Sequence, residues 1–162
     1  MKQKFVLYLS LMFMLSGLFS CNADDNKEVE NQITFEALPS VAQKFITDYF
    51  GGKENVAKVV EDFESDLILY DVETKNGYEI VFNAAGYWQE IDAPDNKTIP
   101  TSILPEPIAQ TLYNQYRGYG VVVVNTAGEN YHIVLSNNQG GDSIGMTLNQ
   151  SGEILNYDTD PL

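Results

Sequence analysis

The sequence predicts an α+β fold of two tandem units, each a helix followed by a four-stranded antiparallel meander. The units share one long sheet with the helices on one face. Three observations predict this. Leu38-Pro39-Ser40-Val41-Ala42-Gln43 returns as Leu104-Pro105-Glu106-Pro107-Ile108-Ala109-Gln110, and each copy opens a helical pattern that closes at Tyr49 or Tyr116 with glycine soon after. Tyr78-Glu79-Ile80-Val81-Phe82-Asn83-Ala84-Ala85-Gly86 aligns without gaps on Ile144-Gly145-Met146-Thr147-Leu148-Asn149-Gln150-Ser151-Gly152. The step from Ala42 to Ala109 at the helices is only one position longer than the step from Gly86 to Gly152 at the strands. A period kept that closely marks two copies of one structural unit. Finally, short alternating apolar runs punctuated by turn residues follow each helix.

Residues 1–20 read as a lipoprotein signal peptide. Lys2 and Lys4 supply the positive end, and the run from Phe5 to Phe19 is almost wholly apolar. As a helix it would reach about 22 Å, short of the roughly 30 Å hydrocarbon core, so a cleaved signal fits better than a span. The run stops at Leu18-Phe19-Ser20-Cys21, which resembles the lipobox of bacterial lipoproteins. That resemblance implies cleavage before Cys21 and lipid on its new N-terminus. Residues 21–34 then form the lipidated Cys and an acidic tether, Asn22 to Asn31 being polar with little to anchor. Asp24-Asp25 resembles the acidic export signal of surface-exposed lipoproteins, which leaves the periplasmic and the outward-facing side of the outer membrane both open.

The first unit covers 35–95. Val41, Ala42, Phe45, Ile46 and Tyr49 form one helical stripe, opened by Pro39 and stopped by Gly51-Gly52. Strands are predicted at Val56–Phe63, Leu67–Glu73, Gly77–Phe82 and Tyr87–Asp92. The segment Ala93–Ile103, with two prolines, is the crossover to the second unit, 96–162. There the stripe is Ile108, Ala109, Leu112, Tyr113 and Tyr116, which makes Phe45 and Leu112 equivalent core positions. Its strands are Val121–Val124, Tyr131–Ser136, Ser143–Leu148 and Ile154–Tyr157. Lys75-Asn76-Gly77 and the Asn-x-x-Gly tetrapeptides Asn83–Gly86, Asn125–Gly128 and Asn149–Gly152 supply tight turns. Links this short force antiparallel neighbours. About 55 residues bury little core alone, so the economical arrangement joins both meanders into one sheet whose second face stays open.

Charge and residue types narrow the function. Without Lys2 and Lys4 the chain has seven basic residues against 23 acids, a net charge of −16. That argues against nucleic acid and anionic lipid surfaces, both of which need a positive face. Cys21 is the only cysteine, so no disulfide forms and packing must supply stability. His132 is the only histidine, on a strand between Tyr131 and Ile133 and facing away from both, and no Gly-x-Ser-x-Gly elbow accompanies it. The acidic run Glu61–Asp66 lacks the spacing of a calcium loop. No metal, cofactor or catalytic set is expected, and the chain reads as a non-enzyme.

The Leu-Pro helix start, the Tyr-x-Ile-x-Phe strand, the Asn-x-x-Gly turn and the tryptophan after it resemble the PepSY-like family of bacterial lipoproteins, described as similar to β-lactamase-inhibitor proteins. The resemblance spans about residues 35–158. It implies helices packed on an antiparallel sheet whose open, concave face grips a protein partner. Inhibitor domains of that type are disulfide-bonded, which this chain cannot be, and Trp88 becomes Ile154 in the second copy. β-Lactamase itself is therefore not carried over as the target. The expected binding face holds Leu69, Asp71, Glu79, Val81 and one of Tyr87 or Trp88, since Tyr and Trp dominate binding hot spots. The expected function is a lipid-anchored envelope protein with a non-catalytic protein-binding module that restrains or modulates an envelope enzyme. The alternative is a surface lipoprotein that binds a glycan or small ligand through exposed aromatics.

Overall fold

Pro39 and Pro105, with φ near −50° and ψ near 140°, each precede a run whose apolar residues recur every three or four positions. The chain coils there into α1 (Ser40–Phe50) and α2 (Glu106–Gln115). Gly51 in the left-handed region ends α1, with the Gly52 amide donating back to the Ile46 carbonyl. A computed structural model describes residues 31–64, 67–137 and 143–158. The predicted signal peptide, Cys21 and all of the tether before Asn31 lie outside them. No helix among the described residues is long and apolar enough to cross a membrane.

Around the helices runs one antiparallel sheet of nine strands in chain order. These are β1 (Asn31–Gln32), β2 (Val56–Glu64), β3 (Leu67–Thr74), β4 (Glu79–Asn83), β5 (Trp88–Asp92), β6 (Tyr119–Ala127), β7 (Asn130–Asn137), β8 (Ser143–Asn149) and β9 (Ile154–Tyr157). The sequence reading misses β1: Asn31 and Gln32, assigned to the tether, pair with Glu61 and Val60 at the sheet edge. One sheet face carries Val59, Val72, Ile80, Phe82, Ile91, Val124, Ile133, Met146 and Leu148, all buried with Ala42, Ile46, Ile108 and Leu112 of the helices in a single core. Both helices therefore sit on the same face. Each fully buried side chain of this size contributes roughly 1.5–3 kcal/mol.

The buried helix positions correct one sequence equivalence. Ala42 and Ile46 match Ile108 and Leu112, and both pairs keep the same spacing as Gly86 and Gly152. The helices and the strands thus share one offset, and Phe45, half-buried, is not the counterpart of Leu112. The Ala-Gln identity of Ala42-Gln43 with Ala109-Gln110 misleads by one position. Pro107 occupies an exposed place in the first turn, where any residue without an essential amide fits.

Two of the three Asn-x-x-Gly turns have the same wiring. Asn83 Oδ1 accepts from the Ala85 and Tyr87 amides, and Asn149 Oδ1 from those of Ser151 and Glu153. Gly86 and Gly152, with φ of 84° and 80°, then press against the first turns of α1 and α2. The third tetrapeptide behaves differently. Asn125 stays in β6 opposite His132, and Gly128-Glu129 close a two-residue hairpin instead, because the β6–β7 pairing continues to Ala127↔Asn130. The crossover is bonded to the sheet rather than loose: the Ala93 and Ile99 amides donate to the Val122 and Val121 carbonyls at 2.8 and 2.7 Å. Ile99 is buried, and Gly120 leaves the space that Thr98 fills.

A methyl group at Gly152 would lie 2.5 Å from the Pro107 carbonyl oxygen, whereas one at Gly128 would meet nothing within 4 Å. Both residues have positive φ. Gly152→Ala is therefore expected to destabilise by about 2–3 kcal/mol and Gly128→Ala by about 1 kcal/mol, read as urea midpoints. Equal losses would contradict the docking of this turn on α2.

Candidate functional site

Strand alternation sends every second residue away from the helices, and the register collects these into one face. Asp71 lies opposite Val81, Glu73 opposite Glu79, and Leu69 opposite Asn83. On the next strand Asp92 lies opposite Glu79 and Glu90 opposite Val81. Four of the predicted residues, Leu69, Asp71, Glu79 and Val81, are thus brought together. Glu73, Glu90 and Asp92 complete a five-carboxylate field across β3, β4 and β5. Lys58, opposite Glu73, is the one lysine or arginine among the described strand residues of this face.

The field is not uniformly wet. Asp71, Glu73 and Glu79 are exposed, while Glu90 and Asp92 are half-buried. Burial raises the Asp92 carboxyl to about 6, and the neighbouring Glu90 and Glu79 add to the shift. Burial also raises Glu90, opposed by the charge of His132. His132 Nε2 lies 2.5 Å from Asp158 Oδ2, so the lone histidine is partnered on this face. Beside it Val134 is only 2% exposed although it points away from the helices. The centre of this face is therefore partly desolvated even where it carries charge.

Trp88 and Tyr87 are not part of that face. Trp88 lies opposite Phe82 on the helix side, because a bulge at Gln89 inserts one residue between the pairs Val81↔Glu90 and Phe82↔Trp88. Strict alternation from Ile91 would have turned Trp88 outward. Its ring stands 6.4 Å from Phe45 and 6.1 Å from Tyr131. Tyr87, in the turn before β5, is 61% exposed. Together with Gln89, Ile103, Leu104, Pro105, Thr126, Gly128 and Tyr131 they line a cleft of about 540 Å³ on the helix side.

Sequence reasoning misses Glu90 and Asp92, although they alternate with the inward Ile91. It also misses Tyr131 as a neighbour of Trp88, which only the pairing of β5 with β6 reveals. Among the described residues no group of three or more His, Cys, Asp or Glu side chains is placed to hold a metal ion.

A family described as "Putative beta-lactamase-inhibitor-like, PepSY-like" matches residues 69–156, which include most of β3, all of β4 to β8 and nearly all of β9. The chain belongs to this PepSY-like family. No curated protein matches it. Solved structures share its fold. One, from Bacteroides vulgatus and described as a "putative periplasmic protein from DUF2874 family", has a TM-score of 0.71 at 22% identity, over 82% of this chain and 99% of that one. A second, from Bacteroides thetaiotaomicron and described as a "putative calcium-regulated periplasmic protein", has a TM-score of 0.70 at 22% identity, over 80% and 97%. A third, from Bacteroides vulgatus and described as a "putative periplasmic protein of unknown function", has a TM-score of 0.65 at 26% identity, over 76% and 93%.

The raised Asp92 pKa makes a signed prediction for this PepSY-like chain. The folded state holds the Asp92 proton more tightly than the unfolded chain, so this contribution is fully present below the ordinary value of 3.8 and is lost as pH rises through about 6. Asp92→Asn is expected to stabilise by about 2 kcal/mol at pH 8 and to change little at pH 4, measured by urea denaturation. The same gain at both pH values would show that charge burial is not the cause.

Proposed function

We propose that this chain is a lipid-anchored cell-envelope protein that binds another protein through the open sheet face and catalyses nothing itself. In this reading it restrains or modulates an envelope enzyme. The observation that carries the reading is the row Asp71, Glu73, Glu79, Glu90 and Asp92 beside Leu69 and Val81, set on neighbouring cross-strand positions of one sheet. A field of one sign steers a basic partner and selects against acidic ones, while the apolar pair supplies contact area. The inhibitor-like family description supports the reading, and the periplasmic descriptions of the solved structures support the location. The calcium regulation named for the Bacteroides thetaiotaomicron protein is not transferred, because the described residues here form no ligand group for an ion.

The proposal includes tandem units at 35–95 and 96–162. The evenly spaced pairs of buried helix positions, the matching Asn83 and Asn149 turns and the bulges at Gln89 and Leu155 support it. It also includes lipid on Cys21 after removal of 1–20, with the tether ending before Asn31, where β1 begins, and not at 34. Cys21→Ala should abolish incorporation of labelled palmitate and shift the protein from the membrane to the soluble fraction. Unchanged membrane retention after a carbonate wash would count against the anchor.

Affinity capture from envelope extracts tests the partner. Residues 22–162 should retain an envelope protein with a basic surface, and the double variant Asp71→Lys, Glu79→Lys should lose at least about tenfold of it. Equal retention by this double variant, or loss of the partner on altering Tyr87 alone, would remove the open face from consideration.

A further inference from the structure

The cleft on the helix side lies across the sheet from the acidic field, and its chemistry is different. None of its nine lining residues is charged, in a chain in which 20% of residues are Asp, Glu, Lys or Arg. Three are aromatic: Tyr87, Trp88 and Tyr131. Gln89 and Thr126 add an amide and a hydroxyl.

The walls are held before any ligand arrives. Trp88 is wedged between Phe45, at an interplanar angle of 28°, and Tyr131. Gln89 Nε2 is committed to the Trp88 carbonyl at 2.9 Å and the Tyr87 carbonyl at 3.3 Å, so the atom it offers a ligand is its amide oxygen. Trp88 and Gln89 have thereby already lost the rotamer freedom that binding would otherwise remove. The volume of about 540 Å³ falls within the range of roughly 300–1,000 Å³ typical of small-ligand sites.

We infer that this cleft is a binding site for a neutral oligosaccharide, with the exposed Tyr87 ring as the stacking surface. A sugar ring has an apolar C–H face and a rim of hydroxyls. The face matches Tyr87 and the edge of Trp88, where dispersion and burial act together. The hydroxyls match the Gln89 oxygen and the hydroxyls of Thr126, Tyr87 and Tyr131. A charged ligand finds no opposite charge among these residues, and a wholly apolar one would leave the Gln89 amide oxygen and the Tyr87 and Tyr131 hydroxyls without a partner. The corresponding place in the second half of the chain has Glu153 and Ile154 where the first has Tyr87 and Trp88, and so lacks both aromatic rings. Among the described residues this set of side chains therefore comes together where β5 meets β6.

The inference is independent of protein binding on the opposite face, and the test keeps them apart. Trp88 is the only tryptophan, so its emission reports on this cleft directly. The purified full chain is titrated with maltohexaose, xylohexaose, mannohexaose and N-acetylchitohexaose, with isothermal calorimetry alongside. At least one should give a saturable emission change and measurable heat. Tyr87→Ala, at an exposed site, should weaken that binding about tenfold or more, Thr126→Val should weaken it less, and Asp71→Lys, Glu79→Lys should leave it unchanged. No saturable response by either method with any of the four sugars would overturn the inference. So would binding that survives both cleft variants, or equal binding of the anionic polymer polygalacturonate.

Discussion

The pairing of β5 with β6 is the constraint on which the rest of the structure depends. Only three residue pairs make it: Glu90↔Asn125, Ile91↔Val124 and Asp92↔Val123. Ile91 and Val124 are fully buried at its centre, next to Ile80 on one side and Ile133 on the other. Through this short ladder the strands that follow α1 and those that follow α2 become one sheet over one core. Either group alone, at roughly 60 residues, would bury a smaller fraction of its apolar surface and be correspondingly marginal. The crossover strengthens the joint by running its own amides onto the β6 carbonyls at Val121 and Val122.

That joint also generates both candidate surfaces, on opposite sides. Glu90 and Asp92 flank Ile91 and so face the open side, where they extend the carboxylates of β3 and β4. The bulge at Gln89 sends Trp88 to the helix side, within reach of Tyr131 from β7. One inserted residue thus separates an acidic face from an uncharged aromatic cleft. The half-buried Asp92, with its pKa raised to about 6, stands where a neutral residue would be more stable.

Much of the fold is legible in the sequence because local physics writes it there. Pro39 and Pro105 open the helices, Gly51 and Gly86 require positive φ, and Ile80 with Phe82 alternates with Glu79 and Val81. Period alone places Leu69, Asp71, Glu79 and Val81 on one face, and the register repeats it. Three things are not legible. A bulge leaves no mark in composition, so the side taken by Trp88 is not fixed by alternation. A contact between Trp88 and Tyr131 depends on which strands meet at the joint, since the two lie far apart in sequence. And the Ala-Gln identity between the helices outweighs the buried positions Ala42, Ile46, Ile108 and Leu112, because identity does not measure burial.

Native-state hydrogen exchange at the joint tests this account most directly. The amides of Ala93 and Ile99 donate across it to β6, and Val124 lies at its buried centre. If the sheet is one cooperative unit, these amides exchange only through global unfolding, with the same free energy as the slowest amides of β4 and β7. Exchange at a free energy several kcal/mol below the global value, with β4 and β7 still protected, would mean that the joint opens on its own. The continuous acidic face and the cleft beside Trp88 would then not be standing features of the folded protein.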